Sequence, residues 1–313
     1  MMKKRAYAIV AAFCLATSAI ATTAAVTSFS QTASAADVVN EKLGDPIVVY
    51  GGSLSESEKQ TVKNSLGITN SVQEVTVTGS DIAKYISGGN ASARLFSSAK
   101  ITPEDKGYGI VVDIKTPSNI TQVTADMYSN AMLTAGITDA KVEVAAPKPV
   151  TGHSALAGIY KAYEVTTGEK LDTERTDVAN QELDVATDLA QKAGVDEDKV
   201  SKLLTEIKQQ IADQKPATKE EVAQIVDDKL KDLKISLSDE DRQLLIDLMN
   251  KISNLDINFN QWSNQLSDLG SKLSDSISGL KESVDNNTGF WDKVVNWFKN
   301  LFGLNDDEES TTK

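Results

Sequence analysis

Gly152-His153-Ser154-Ala155-Leu156 places a serine between a strand-like and a helix-like stretch, where a nucleophile elbow would present a hydroxyl for acyl transfer. The elbow pattern ends in glycine, and Leu156 stands there instead. His153 is the chain's one histidine, so any Ser-His-Asp arrangement must use it, and a sequence neighbour of the serine is badly placed to face it as a base. A helix start capped by Thr151 or Ser154 accounts for the same residues. Glu104-Asp105, Asp196-Glu197-Asp198 and Asp239-Glu240-Asp241 hold the residue types of glycosidase acid/base work or of calcium binding. Each cluster is expected to begin a helix, where carboxylates are favoured by the macrodipole and the unpaired amides, and Asp196-x-Asp198 lacks the glycine and later acid of an EF-hand loop. Gly51-Gly52-Ser53 could cradle a phosphate, but it has neither the lysine of a P-loop nor the spacing of a dinucleotide fingerprint, so a tight turn is expected. No catalytic residue, cofactor or metal ligand is assigned from these candidates. The reading they leave open is an envelope hydrolase using carboxylates or Ser154 on cell-wall polymer.

The strongest functional pattern is near the carboxyl terminus. Advanced by 100° per residue on a helix, Phe290, Trp291, Val294, Val295, Trp297, Phe298, Leu301 and Phe302 fall within an arc of roughly 160°, with Asp292, Lys293, Asn296, Lys299 and Asn300 opposite. Burying a large apolar side chain is worth about 1.5–3 kcal/mol, so such a face requires a partner. A bilayer surface, an envelope protein or the chain's own bundle would each serve, and two tryptophans and two lysines suit an interfacial helix. These eight residues are the candidate membrane- or partner-binding site.

Composition narrows the rest. The 313 residues carry 32 Lys and Arg against 45 Asp and Glu. Met-Met-Lys3-Lys4-Arg5, an apolar run from about Ala6 to Ala21, and Ala33-Ser34-Ala35 have the three regions of a secretory signal, with cleavage expected after Ala35. Cleavage removes three basic residues and no acid, leaving 29 against 45, a net −16. Nucleic acid is excluded as a partner by that charge. The only cysteine, Cys14, lies within the signal, so the mature chain has no thiol for a disulfide, a zinc site or a nucleophile. A secreted, extracellular protein is expected, with possible association at the membrane surface.

The elements that must position any site divide the chain into a signal peptide at 1–35, an α/β domain at 36–150, a helical bundle region at 151–253, a heptad helix at 254–285, an amphipathic aromatic helix at 286–304 and a disordered acidic tail at 305–313. The expected fold class is mixed α+β or α/β: a small N-terminal α/β domain of two β-α-β-like halves, then an all-α region with a long heptad helix. Ile47 to Tyr50, Val72 to Val77, Ile110 to Ile114 and Val142 to Val144 read as strands, with a capping-box helix from Ser55 and a second helix from Ile120 to Ala135. Gly67-Ile68-Thr69-Asn70 and Gly136-Ile137-Thr138-Asp139 echo each other between helix and strand, which is compatible with a duplication and equally with glycine following a helix end. Thr218-x-x-Glu221 and Ser238-x-x-Asp241 mark helix starts. Leu245, Leu248, Ile252, Leu255, Phe259, Trp262, Leu266, Leu269 and Leu273 alternate spacings of three and four as heptad core positions do. With few charges flanking it, this seam suits packing on its own bundle or a loose self-association through 245–273.

Ile101-Thr102-Pro103, Gly107-Tyr108-Gly109-Ile110, Asp126-Met127-Tyr128-x-Asn130-Ala131, Thr134-Ala135-Gly136-Ile137, Val144-Ala145-Ala146-Pro147-x-Pro149-Val150-x-Gly152 and Ala155-Leu156-x-Gly158-Ile159-x-Lys161-Ala162-Tyr163-Glu164 together resemble the YpuA-like family. Leu237-Ser238 and Leu255-Asp256-Ile257 fit the same pattern. The resemblance implies a secreted protein of Gram-positive bacteria with a domain of no assigned function, and it supplies no catalytic residue. The expected role is that of an exported, non-enzymatic envelope-associated binding or scaffold protein.

Overall fold

The computed structural model describes residues 45–69, 72–191 and 193–285. The signal segment, the aromatic segment 286–304 and the tail lie outside the described residues.

Five strands form one mixed sheet in the order β2-β1-β3-β5-β4, with β1 Ile47–Gly51, β2 Gln73–Val77, β3 Ser98–Pro103, β4 Ile110–Ile114 and β5 Ala140–Ala145. β1 runs parallel to β2 and β4 parallel to β5, while β3 is antiparallel to both β1 and β5. The register sets Ile47, Ile101, Val142 and Val112 in one row on one face, and Val48, Lys100, Glu143 and Asp113 in the next row on the other. This alternation is the two-residue period of a strand and decides which face is greasy.

The two β-α-β units expected from the sequence are present. The helix α1, Glu56–Ser65, connects β1 to β2, and α3, Ala125–Ala135, connects β4 to β5. Between them, α2 spans Gly79–Tyr85. α1 begins with a complete capping box on Ser55 and Glu58, and α3 begins with the Thr124 hydroxyl accepting the Met127 N–H at 3.2 Å, five residues later than expected because Pro117–Asn119 forms a 3-10 turn first. Val62 of α1 and Leu66 just after it cover Val48 and Tyr50. α3 covers the opposite face. Both units step the same way across the sheet from strands of the same direction, so their crossovers are of opposite hand. Repetition of one unit would keep the hand and the face, and one of the two departs from the right-handed rule for such crossovers. The repeated Gly-Ile-Thr is the shared chemistry of a helix end.

After the sheet the chain is helical: α4 Ser154–Thr167, α5 Thr173–Gln191, α6 Glu197–Gln214, α7 Lys219–Asp232, α8 Asp239–Ser253 and α9 Phe259–Asp285. α4 is buried almost all round and lies on β1 and β3, where Gly158 lets its backbone approach until an added Cβ would stand 3.4 Å from Val49 Cγ1. α5 and α6 pack on α3, and α7 to α9 close the outer side. One continuous cluster of buried side chains runs from Ile47 through Ala140, Leu156 and Leu203 to Leu266. The division expected at residue 150 is therefore not a boundary between two cores, because α3 and α4 are shared by the sheet and the helical layer. The heptad seam belongs to two helices, α8 and α9, joined through Asn254 to Asn258, and its positions from Leu245 to Leu273 are buried or, for Phe259, half-buried.

Where α3 meets α5 and α6 the core is polar. Lys208 and Glu182, exposed by 0% and 1%, form an ion pair at 2.6 Å. Thr134 donates to the other Glu182 oxygen at 2.5 Å, Lys208 Nζ donates to the Asn130 carbonyl at 3.1 Å, and the Asn130 side chain accepts from Thr205 at 3.0 Å. The Lys208 ammonium lies 5.8 Å from the Trp262 ring centroid, so α9 roofs the pair. Burial pulls the Lys208 pKa down and the Glu182 carboxylate opposes that pull. Lys208→Met strands a buried carboxylate and is expected to cost about 3–5 kcal/mol. Adding Glu182→Gln, which keeps an acceptor for Thr134, is expected to restore most of it, both measured by urea unfolding.

Candidate binding groove

His153 stands at the N-cap of α4 without capping it, so neither Thr151 nor Ser154 supplies the expected cap. The His153 ring meets α5, with Nε2 at 3.3 Å from Thr187 Oγ1 and 3.4 Å from Asp184 Oδ1. That leaves the imidazole committed to α5 and directed at no nucleophile. His153, Ser154 and Asp184 share the wall of a cavity of about 290 Å³ with Arg94 and Phe96.

Among the acidic clusters, Asp196 caps α6 by accepting the Lys199 N–H at 3.1 Å, and Asp239, Glu240 and Asp241 fill the first turn of α8 behind Ser238. Glu104-Asp105 departs from expectation, since it follows β3 into a turn closed by Tyr108 N–H to Asp105 carbonyl. The carboxylate that organises this turn is Asp139, which accepts from the amides of Gly107 and Gly109 at 2.9 Å each. The amides of Gly51, Gly52 and Ser53 donate to Ser98 Oγ, the Val77 carbonyl and the Leu95 carbonyl. A phosphate would find all three already taken. Among the described residues no group of three or more His, Cys, Asp or Glu is placed to hold a metal ion. Phe290, Trp291, Val294, Val295, Trp297, Phe298, Leu301 and Phe302 lie outside the described residues.

A cavity of about 460 Å³ is a groove that the sequence did not announce. One wall is the end of β3 and its turn, with Glu104 and Lys106; the floor is the end of α3, with Leu133 and Gly136. Tyr163 comes from the end of α4 and Glu169 from the turn after it, Arg175 from the start of α5, and Gln261, Trp262 and Gln265 from α9. Five separate stretches converge here because the helical layer and the sheet share α3.

Arg175 is the group that stands out. Its Nε donates to the Thr134 carbonyl at 2.9 Å and its Nη2 to the Leu133 carbonyl at 3.3 Å, so it caps the carboxyl end of α3. The guanidinium is half-buried and forms no salt bridge among the described residues, unlike Arg242, which grips Asp227 with two bonds of 2.6 Å. Burial lowers its pKa, and Asp172 and Asp256 act against that at a distance. Asp139 is consumed by its amide donors, and Glu169 accepts from the Tyr163 hydroxyl at 3.2 Å. The side-chain amides of Gln261 and Gln265, one turn apart on α9, have no hydrogen-bond partner among the described residues. In the sequence, Arg175 sits in a polar stretch with no motif around it; being one of only four arginines is the single cue.

A model of the family described as a protein of unknown function, DUF1002, matches residues 50–269. The chain is 38% identical over 265 residues to the uncharacterized protein YpuA of Bacillus subtilis (strain 168), covering 83% of this chain and 88% of that one. No solved structure matches.

Burial holds the His153 pKa below its ordinary value, with Asp184 and Asp188 pulling the other way. As pH falls through about 6.5, the unfolded chain takes up this proton before the folded one, so the stability contributed by neutral His153 is present above that pH and is lost below it. His153→Gln is expected to lose less stability than the parent between about pH 7.5 and about pH 5.5, read from urea midpoints at both. Identical losses in the two proteins would show that the ring titrates as it does in the unfolded chain.

Proposed function

The chain belongs to the DUF1002 family that includes YpuA, and on that premise we propose that it is an exported, non-enzymatic binding or scaffold protein of the cell envelope. Its attachment is through the amphipathic segment 286–304, to the membrane surface or to a protein held there. The observation that carries this reading is the unbroken apolar arc from Phe290 to Phe302, opposite which stand Lys293 and Lys299. No helix among the described residues is long and apolar enough to cross a membrane. In this reading the aromatic arc makes the attachment and the folded body is carried outside. The seam from Leu245 to Leu273 is buried against the chain's own helices, chiefly α6, and supports the arc as the apolar surface that has a contact left to make.

Mature protein is expected to sediment with vesicles containing anionic lipid, and Trp291→Glu with Phe298→Glu to stay in the supernatant with an unchanged unfolding temperature. Equal sedimentation of parent and double variant would remove the membrane form of the proposal.

A further inference from the structure

We propose that the groove between α3, α4, α5 and α9 is a binding site for a short peptide with a free carboxylate and a free amine, the carboxylate resting on Arg175. This goes beyond the attachment proposed above and does not depend on it.

The argument starts from the guanidinium. Arginine has five N–H donors in a planar fork and no acceptor, and two of its nitrogens here are tied to the carboxyl end of α3 by one bond each. Arg175 lines a cavity of about 460 Å³, and no carboxylate among the described residues pairs with it. A half-buried cation fixed in place by its neighbours, yet without a counter-charge in contact, is prepared for an anion from outside.

The other walls decide which anion. Glu104, Asp139 and Glu169 share the groove with Lys106 and Arg175, so three acids stand against two bases. A phosphate or polyanion would be repelled by this balance, whereas a single carboxylate accompanied by an ammonium group is accommodated by it, with Glu104 and Glu169 available to the amine. Gln261 and Gln265 each offer an unengaged amide donor and acceptor at the spacing of one helical turn, which suits the alternating N–H and C=O of a peptide backbone. Tyr163, half-buried, adds flat apolar surface beside them. The volume falls in the range of about 300–1,000 Å³ typical of small-molecule sites. A bound peptide would touch the turn after β3, the end of α3 and the start of α9 at once.

The probe is trialanine, titrated calorimetrically into the mature chain, beside trialaninamide, which lacks the carboxylate, and N-acetyl-trialanine, which lacks the amine. Trialanine is expected to bind, the amide to lose binding by about tenfold or more, and the acetylated peptide to bind more weakly than trialanine. In NMR spectra the side-chain amides of Gln261 and Gln265 and the Nε–H of Arg175 should move with trialanine. Arg175→Gln should weaken binding about tenfold. Because Arg175 also holds α3, the Gln261→Ala, Gln265→Ala double variant provides a second reading: it should bind more weakly at an unchanged unfolding temperature. Binding of the amide as tight as that of the acid, no heat with any of the three peptides at millimolar concentration, or shifts confined to residues around His153 would each overturn the proposal. None of these results bears on vesicle sedimentation, so failure here leaves the attachment proposal to its own test.

Discussion

The ion pair between Lys208 and Glu182 is the constraint around which this molecule is arranged. Two charges without solvent contact are tolerable only when their remaining hydrogen-bonding capacity is met, and here α3 meets it for a pair drawn from α5 and α6. Thr134 and Asn130 lie on α3, which is also the crossover helix of the sheet. The full set of bonds forms only where α3, α5 and α6 meet in one register. An apolar contact could slide by a turn and lose little, while this one would leave a charge unpaired in the interior. The polar centre fixes how the helices sit on the sheet, and Trp262 then covers it.

That arrangement explains why a groove exists at the edge of the same assembly. α3 ends at Gly136, where the backbone turns left-handed and the Leu133 and Thr134 carbonyls point outward. The Leu133 carbonyl also takes the Gly136 N–H, and Arg175 supplies a donor to each of the two carbonyls from α5. The arginine is thus recruited for a structural reason, and its charge is left beside a hollow that five stretches of chain enclose.

Much of this was legible in the residues because it depends on local chemistry. The capping boxes at Ser55 and Thr218 and the β-branched strand Ile110–Ile114 are local signals, and each appears where its pattern places it. The central strand β3 was not legible. Ser98-Ala99-Lys100 is neither β-branched nor strictly alternating in polarity, and its position is fixed by partners on both sides, β1 and β5, together with the Ser98 hydroxyl that accepts from Gly51. α2 was missed for a related reason, since its seven residues are too few to show a period. The heptad pattern was read correctly as apolar spacing, but the break at Asn254 to Asn258 preserves that spacing while turning the chain, which periodicity alone does not register. The groove could not be found at all, because its lining comes from positions more than a hundred residues apart and none carries a motif. The candidate aromatic site, in contrast, rests on sequence alone.

The back of the sheet has a consequence for the molecule's company. α1 shields only Val48, Tyr50 and their surroundings, and beyond it Glu143 takes Lys100 on one side and Lys115 on the other, with Asp113 completing the row. A bare sheet face of aliphatic side chains would invite stacking against a second sheet. A row of alternating charges, already satisfied laterally, gives an incoming sheet nothing to gain and a desolvation cost to meet. The chain in this way holds itself apart from amyloid-like stacking at the part of the sheet face that α1 leaves uncovered.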